Sequence, residues 1–247
     1  MMDQYQHLAD QINESQRIVF FTGAGMSTAS GIPDFRSNDG LYKGDDYPIG
    51  YRSEEILSAS FFDRYPKLFF DYYFSHLVYP QAQPNSGHEF IAYLEAMDKE
   101  VTVVTQNIDG LHQRAGSSKV LELHGTVMDN YCLTCGRHYE LDELQRDEEG
   151  IPRCIEDDGI VRPRVVLYQE NLPMDTLEAS IQHIQQADML IVLGTSLVVH
   201  PAAGLVSYFK KNRLVVVNKS PIATLPAQAD VYQDTIVHVL ENVKERL

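Results

Sequence analysis

The sequence predicts an α/β fold, a doubly wound parallel sheet with helices on both of its faces. Six short runs rich in β-branched residues recur along the chain, at 17–22, 101–105, 119–123, 164–168, 188–193 and 213–217. They are nearly all apolar rather than alternating, which is typical of strands covered on both faces. Helical segments separate many of them, at 86–97, 174–186 and 201–211. This alternation of strand and helix favours a parallel sheet.

Length, charge and cysteine content narrow the class of protein. A chain of 247 residues is expected to form one domain with a large insertion. The net charge is −15 and no basic stripe is present, so direct binding of nucleic acid is not expected. Three cysteines, an odd number, argue for a reduced compartment. Residues 1–10 do not read as a signal peptide, and the longest apolar stretch, 189–199, is too short to span a membrane. A cytoplasmic enzyme is expected.

Two regions interrupt the alternation, and the chain ends in a segment, 235–247, that reads as an amphipathic helix. Residues 39–86 are rich in aromatic side chains and are predicted to be helical, with the aromatic cluster as core. Residues 126–163 are charged and carry all three cysteines. We expect these two insertions to build a second, smaller lobe. Because open α/β sheets bind ligands at the carboxyl ends of their strands, the expected site is a cleft between the lobes.

A short glycine-containing loop follows the first predicted strand. Gly23 and Gly25 would let the main chain approach a pyrophosphate at the start of a helix. Thr28 stands where the usual dinucleotide fingerprint has its third glycine. Taken alone, the fragment is equally consistent with a tight turn between a strand and a helix.

Longer motifs decide between these two interpretations. They are 23–37 (GAGMSTASGIPDFRS), 105–112 (TQNIDGLH), 123–125 (LHG), 194–197 (GTSL) and 217–218 (VN). In this order and spacing the set resembles the sirtuin family, in its minimal prokaryotic form, over nearly the whole chain. The resemblance implies a Rossmann-like lobe from 1–38, 87–125 and 164–247. It also implies a small lobe made of a helical module, 39–86, and a zinc ribbon, 126–163, within a single catalytic domain, 1–247.

The resemblance implies a reaction and its residues. An acyl-lysine side chain and NAD would yield free lysine, nicotinamide and O-acyl-ADP-ribose. His124 would be the catalytic base that removes a proton from a ribose hydroxyl, and Asn107 would hold the ribose and an ordered water. The implied NAD contacts are Ala24, Thr28, Phe35, Arg36, Gln106, Ile108, Asp109, Thr195, Ser196, Asn218 and Asp234. We expect His112 to support the site or to pack, and His88 and His200 to be structural.

The expected partner is an acyl-lysine protein or peptide. It would add as a strand between the lobes and bind mainly through its main chain. The segment 166–173 (VLYQENLP) resembles the family's substrate loop except at Gln169, where glycine is common. Sirtuins that prefer succinyl or malonyl groups carry a Tyr-x-x-Arg pair in the helical module. The nearest match here ends in Ser75 and lacks the cation.

The cysteines suggest a structural zinc site. Cys132 and Cys135 form a Cys-x-x-Cys knuckle, and Cys154 follows after eighteen intervening residues. The resemblance places the fourth ligand at Asp157. A carboxylate is an acceptable zinc ligand, and Glu156 or Asp158 could take its place. A redox role for the knuckle is the alternative, although no junction between a strand and a helix leads into it.

Two other functions stay open at the level of sequence. A mono-ADP-ribosyltransferase would use the same NAD chemistry, but His124 would then be less needed. A non-catalytic NAD sensor is the other alternative, but it would not need all the residues expected for catalysis, and this sequence has all of them. The target proteins and the oligomeric state are not predicted.

Overall fold

The computed structural model describes residues 3–34, 50–222, 225–226 and 228–247. The helices in these ranges are α1 (Gln4–Asn13), α2 (Ser53–Ile56), α3 (Ala59–Arg64), α4 (Pro66–His76), α5 (Ser86–Ala96), α6 (Leu111–Arg114), α7 (Met174–Gln186) and α8 (Ile236–Lys244). The strands are β1 (Arg17–Thr22), β2 (Glu100–Thr105), β3 (Val120–Glu122), β4 (Gly125–Cys132), β5 (His138–Glu140), β6 (Gln145–Arg146), β7 (Pro152–Arg153), β8 (Val161–Val165), β9 (Met189–Leu193), β10 (Leu214–Val217) and β11 (Asp230–Tyr232). Short 3₁₀ helices occupy Ala24–Met26, Thr28–Ser30, Leu141–Glu143 and Ala202–Tyr208.

Six of the described strands form a large parallel sheet in the order β11-β10-β9-β1-β2-β3. From β1 the chain moves outward to β2 and β3, then returns to the other side of β1 for β9 to β11. The predicted doubly wound, Rossmann-like sheet is therefore confirmed. The order reverses between β1 and β9, and the carboxyl ends of strands at such a reversal are where open α/β sheets bind ligands.

Both faces of the large sheet are covered, which explains its apolar strands. In β1, Phe20 joins a core with residues of α1, α5 and α8, while Phe21 joins a separate core with residues of α7. Both side chains are 0% exposed. Burying a large apolar side chain contributes roughly 1.5–3 kcal/mol. Because successive residues of a strand point to opposite faces, an unbroken apolar run is needed to supply both cores.

The smaller part of the structure combines helices and antiparallel strands. Rings from α3 and α4 pack against Val127 of β4 and Val165 of β8, which confirms the expectation that the aromatic cluster is core. Strands β5, β4 and β8 form an antiparallel sheet, and β6 pairs with β7.

One predicted strand was wrong in its bounds and in its sheet. The run 164–168 was expected in the parallel sheet, but β8 spans Val161–Val165 and pairs antiparallel with β4. An apolar run shows that a strand is buried, but it does not reveal the partner or its direction. The other five runs lie in the large sheet, each starting and ending within one residue of a strand's bounds. The segment 201–211 is a 3₁₀ helix, Ala202–Tyr208. Neither α1 nor β11 was predicted.

No described helix combines the length and the apolar character that a membrane span requires.

Candidate active site and metal cluster

A cleft of about 1420 Å³ opens at the reversal of the strand order. It is lined by the loops that follow β1, β2, β9 and β10, and by the segment 165–172. This segment contains most of the predicted substrate loop, 166–173, and we keep that name for it. Pockets for single small molecules are typically ~300–1,000 Å³. This cleft is large enough for a dinucleotide together with a substrate side chain.

Glycines let the loops after β1 and β9 touch. The Gly25 amide donates to the Gly194 carbonyl at 2.8 Å. A Cβ at Gly25 would lie 2.8 Å from the Gly194 Cα, and a Cβ at Gly194 would lie 2.5 Å from the Met26 nitrogen. Gly194 also has a φ of 60°, which disfavours other residues. Two 3₁₀ helices follow this loop in place of the expected helix, and the Thr28 hydroxyl donates to the Gly25 carbonyl at 3.0 Å.

Asp109 and Asn107 meet at a serine that the sequence analysis did not identify. The Ser27 hydroxyl donates to Asp109 Oδ2 at 2.6 Å and accepts from Asn107 Nδ2 at 3.0 Å. The Leu111 amide donates to Asp109 Oδ1 at 2.9 Å. Burial raises the pKa of Asp109, and the bonds from Ser27 and Leu111 oppose the rise. Ser27 lies inside the 23–37 motif, and that position was the only signal for it.

His124 lines the cleft with a defined arrangement of its ring. Its Nδ1 lies 2.9 Å from the Gln106 carbonyl oxygen, which can only accept, so Nδ1 carries the proton. Nε2 is then the unprotonated nitrogen and can act as a base. Burial lowers the pKa of His124, and the bond to Gln106 opposes part of that shift. The Gln106 side chain also donates to Thr195 Oγ1 at 3.1 Å, which links the loops after β2 and β9.

The remaining predicted NAD contacts are distributed along the same cleft. Described residues that line it are Ala24, Thr28, Gln106, Asn107, Ile108, Asp109, Thr195, Ser196, Asn218 and Asp234. The Asn218 side chain donates to the Ser220 carbonyl at 2.6 Å, and Asp234 Oδ1 accepts from the Thr235 amide at 2.6 Å. Phe35 and Arg36 lie outside the described residues.

The substrate loop is hydrogen-bonded to His124 and to the helices beside it. The Val166 amide donates to the His124 carbonyl at 2.9 Å, and the Tyr168 amide donates to the Leu57 carbonyl at 2.9 Å. Gln169 has a φ of 76°, the left-handed region where glycine is favoured. Its side chain accepts from the Ser60 amide at 3.0 Å, so the departure from glycine adds an anchor to α3.

A partly buried ion pair holds the base of the substrate loop, and the sequence analysis did not find it. Arg162 donates to both carboxylate oxygens of Glu170, at 2.7 and 3.2 Å, and to the Val165 carbonyl at 3.0 Å. Glu170 also accepts from the Leu167 amide at 2.8 Å. Partial burial would raise the pKa of Glu170, but these bonds outweigh it and hold the pKa below its usual value. Such bidentate pairs fix geometry as well as charge.

The three cysteines and Asp157 come together in one cluster. Their ligand atoms all lie within 4.8 Å of one another. Cys135 Sγ is 3.6 Å from Cys154 Sγ, and Cys132 Sγ is 3.3 Å from Asp157 Oδ1. Zinc bonded tetrahedrally at ~2.3 Å places two sulfurs about 3.8 Å apart. The cluster therefore fits a structural zinc site.

Other contacts support Asp157 as the fourth zinc ligand. Amides of Thr134 and Glu156 donate to Cys132 Sγ and Cys154 Sγ, at 3.3 and 3.5 Å, as expected for thiolates. The Glu156 carboxylate pairs instead with Arg137. Glu156 and Asp158 are not part of the cluster that the described residues form.

The zinc assignment predicts a measurable metal content. We expect about one zinc per chain in the wild type and little in Cys132→Ser, because three ligands hold zinc less firmly than four. Since metal binding contributes folding energy, its loss should also loosen residues 126–163 and lower activity. Elemental analysis of the purified proteins measures this.

Asp157→Cys is the matched variant for the zinc prediction. A thiolate is a softer donor than a carboxylate, so zinc should be removed from this variant more slowly by a chelator. Freshly purified, active wild type without zinc would contradict the assignment and mean that packing alone holds the ribbon.

The fold and the site together define a dinucleotide-binding enzyme whose cleft is lined by a buried histidine and by the segment 165–172. Residues 23–201 match a family model that is described as "Sir2 family". This chain belongs to the Sir2 family.

Bacterial relatives match nearly the whole chain. It is 45% identical over 246 residues to an NAD-dependent protein deacetylase of Clostridium tetani, covering 100% of this chain and 99% of the relative. It is 47% identical over 244 residues to one of Clostridium acetobutylicum, covering 98% and 99%. A solved structure of Sir2 bound to an acetylated peptide superposes with a TM-score of 0.82 at 36% identity, with 98% of each chain covered.

Proposed function

We propose that this chain is an NAD-dependent protein-lysine deacetylase, which transfers the acyl group of a modified lysine to ADP-ribose. The observation that carries the proposal is the place of His124. Its ring, with Nε2 unprotonated, lines the same cleft as residues 23–29, which we call the glycine loop, and the substrate loop. The relatives of Clostridium tetani and Clostridium acetobutylicum are named for this activity.

NAD, when bound, supplies a ribose carbon that becomes electrophilic as nicotinamide leaves. In our proposal Asp109 accepts hydrogen bonds from the carboxamide, and Ile108 packs beside it. Asn107 and Gln106 hold the ribose. The buried bonds of Ser27 keep Asp109 and Asn107 in place before NAD arrives, so little reorganisation is needed on binding.

The remaining contacts are proposed for the phosphates and the adenosine. Ala24 and Thr28 meet the pyrophosphate from the loop after β1, and Thr195 and Ser196 meet it from the loop after β9. We place Asn218 at the adenosine ribose and propose Asp234 as a further NAD contact. Phe35 and Arg36, which lie outside the described residues, are proposed to serve the reacting carbon and the phosphates.

His124 removes a proton from a ribose hydroxyl in this proposal. The Gln106 carbonyl keeps the ring in the required tautomer, and the lowered pKa keeps it unprotonated at neutral pH. The acyl-lysine would enter past the substrate loop, which the Arg162–Glu170 pair holds in shape.

The acyl group should be uncharged. Near the substrate loop, the described residues from α2 to Tyr79 that line the cleft are Leu57, His76, Leu77 and Tyr79, none of them Lys or Arg. Ser75 replaces the arginine of the succinyl-preferring sirtuins, and its hydroxyl bonds to the Asp71 carbonyl. A succinyl carboxylate would lose water without gaining a cation, so acetyl peptide should exceed succinyl peptide in kcat/KM by at least about tenfold.

A panel of acylated peptides on one sequence measures acyl preference. Acetyl-, propionyl- and butyryl-lysine peptides report on apolar length, while malonyl- and succinyl-lysine peptides report on charge. A higher kcat/KM for succinyl-lysine than for acetyl-lysine would contradict the prediction.

One assay separates the proposed activity from its alternatives. The enzyme is mixed with NAD, with an acetylated peptide, or with both, and nicotinamide release is measured. A deacetylase releases nicotinamide rapidly only with both. A mono-ADP-ribosyltransferase would modify a protein and leave the acetyl group on lysine. A non-catalytic sensor would release none.

Partners, location and lobe boundaries also belong to the proposal. We propose acyl-lysine proteins as substrates, with neither nucleic acid nor membrane as a partner, supported by the net charge of −15. We place the enzyme in the cytoplasm, where thiols stay reduced and free to hold a metal. The division into a large lobe and a two-part small lobe is supported by the separate apolar cores.

A further inference from the structure

Two buried histidines, His88 and His112, lie outside the residues that line the cleft. They belong to α5 and α6, and their exposed fractions are 0% and 1%. Their rings meet edge to face with centroids 4.8 Å apart. Burial lowers the pKa of His88 to about 4. Burial and the nearby His88 lower the pKa of His112 to about 3. Both rings are therefore neutral at neutral pH.

Their hydrogen bonds determine which nitrogen of each ring carries the proton. The Asn85 amide donates to His88 Nδ1 at 3.3 Å, so the His88 proton is on Nε2. The Thr22 hydroxyl donates its one hydrogen to Thr105 Oγ1 at 2.8 Å. It can then only accept from His112 Nε2, 3.1 Å away, so the His112 proton is also on Nε2.

The remaining nitrogens of the two rings are complementary. His88 Nε2 is a donor and His112 Nδ1 is an acceptor, and neither atom has a hydrogen-bond partner among the described residues. A donor and an acceptor on touching rings suit each other, whereas two donors would repel. The two touching rings are therefore compatible in one tautomeric state, and the hydrogen bonds themselves run from His112 to Thr22 and on to Thr105.

The hydrogen bonds from His112 through Thr22 to Thr105 lead to a residue of the proposed active site, and His88 adjoins them through its ring contact with His112. The Asn107 amide donates to Thr105 Oγ1 at 3.0 Å. The Asn107 side chain is held separately by Ser27. Asn107 is thus fixed through its main chain from the sheet side and through its side chain from the glycine loop.

We propose that His88 and His112 are positioning residues for Asn107. Each ring is neutral with its proton on Nε2, and the hydroxyls of Thr22 and Thr105 continue the chain to the Asn107 amide. The inference rests on the proposed function, because Asn107 is assigned to the NAD ribose. The histidines themselves touch neither substrate and exchange no proton in the reaction.

Paired substitutions separate the hydrogen bonds from the packing. Thr22→Val and His112→Phe keep the volume approximately but remove a link, while Thr22→Ser and His112→Gln retain it. We expect kcat/KM for NAD to fall about tenfold in the first two and to stay within about threefold of wild type in the others, as for loss of one buried hydrogen bond. The KM for acetylated peptide should not change.

Two further variants complete the kinetic test. Ser117→Ala removes a buried hydroxyl next to the chain and should leave kcat/KM unchanged, since Ser117 is linked to His112 only through the main chain. The double variant Thr22→Val with His112→Phe should be no worse than the worse single one, because both break the same chain. The inference would be overturned if kcat/KM for NAD fell equally in the variants that retain the hydrogen bond and in those that remove it, when the variants are folded to the same extent.

Nitrogen NMR of protein labelled at its histidines determines the tautomers of His88 and His112 independently of enzymatic activity. We expect both rings to be neutral, with the proton on Nε2. A proton on Nδ1 of either ring, or a charged His112 at neutral pH, would overturn the inference. If wild type shows these tautomers but does not deacetylate, the proposed function fails while the tautomer assignment stands, so the two failures are distinguishable.

Discussion

Replacing His124 with Ala should abolish deacetylation while NAD still binds. General-base catalysis by one side chain is typically worth ~10²–10⁴-fold, and we expect kcat to fall at least about hundredfold. The proposed carboxamide and phosphate contacts are made by other residues, so the affinity for NAD should change less than about threefold. Kinetics on an acetylated peptide and calorimetry with NAD measure the two quantities.

A second histidine in the same cleft provides the control for His124. His200 lines the cleft but has no assigned chemical role, and His200→Ala should keep activity within about threefold. Because burial lowers the pKa of His124, the acid side of the pH profile should lie below the usual histidine range. Deacetylation by His124→Ala within about tenfold of wild type would refute the assignment.

Replacing Gly194 with Ala should remove NAD binding. Its Cβ would lie 2.5 Å from the Met26 nitrogen, a main-chain atom that cannot move without the glycine loop. At a φ of 60°, a residue with a Cβ also pays a conformational free energy of about 1–2 kcal/mol that glycine does not. Together these effects should separate the loops after β1 and β9 and lower the affinity for NAD at least about hundredfold.

Gly50→Ala is the control that separates the steric clash at Gly194 from the free-energy cost of a positive φ. It has a φ of 73°, and a Cβ there would meet nothing within 4 Å. Gly50→Ala should lose stability of the order of 1–2 kcal/mol and keep its affinity for NAD. Thermal unfolding and NAD titration distinguish the two variants. Gly194→Ala that binds NAD as well as Gly50→Ala would contradict the proposed phosphate site.

The sequence predicted what depends on local pattern. Strand β1 was placed with both ends correct, because an apolar run bounded by a glycine loop has few other interpretations. The direction of β8 was wrong, since it depends on β4, a strand about 30 residues earlier. Motif resemblance brought Asp109 and Asn107 to one cleft, where the structure also places them.

Contacts between distant segments could not be predicted from the sequence. Ser27 lies 82 positions from Asp109, and nothing in either motif indicates that they bond. Arg162 and Glu170 are close in sequence, but only burial distinguishes their ion pair from an ordinary surface pair. Such pairs are visible only once the fold brings the segments together.

In the proposed function, acyl removal and NAD cleavage are one reaction. Mass spectrometry of the products formed from NAD and an acetyl-lysine peptide tests this most directly. We expect about one nicotinamide and one O-acetyl-ADP-ribose for each lysine freed, since the acyl group passes to the ADP-ribose. Free acetate with intact NAD, or ADP-ribosylated protein with the acetyl group still on lysine, would contradict it.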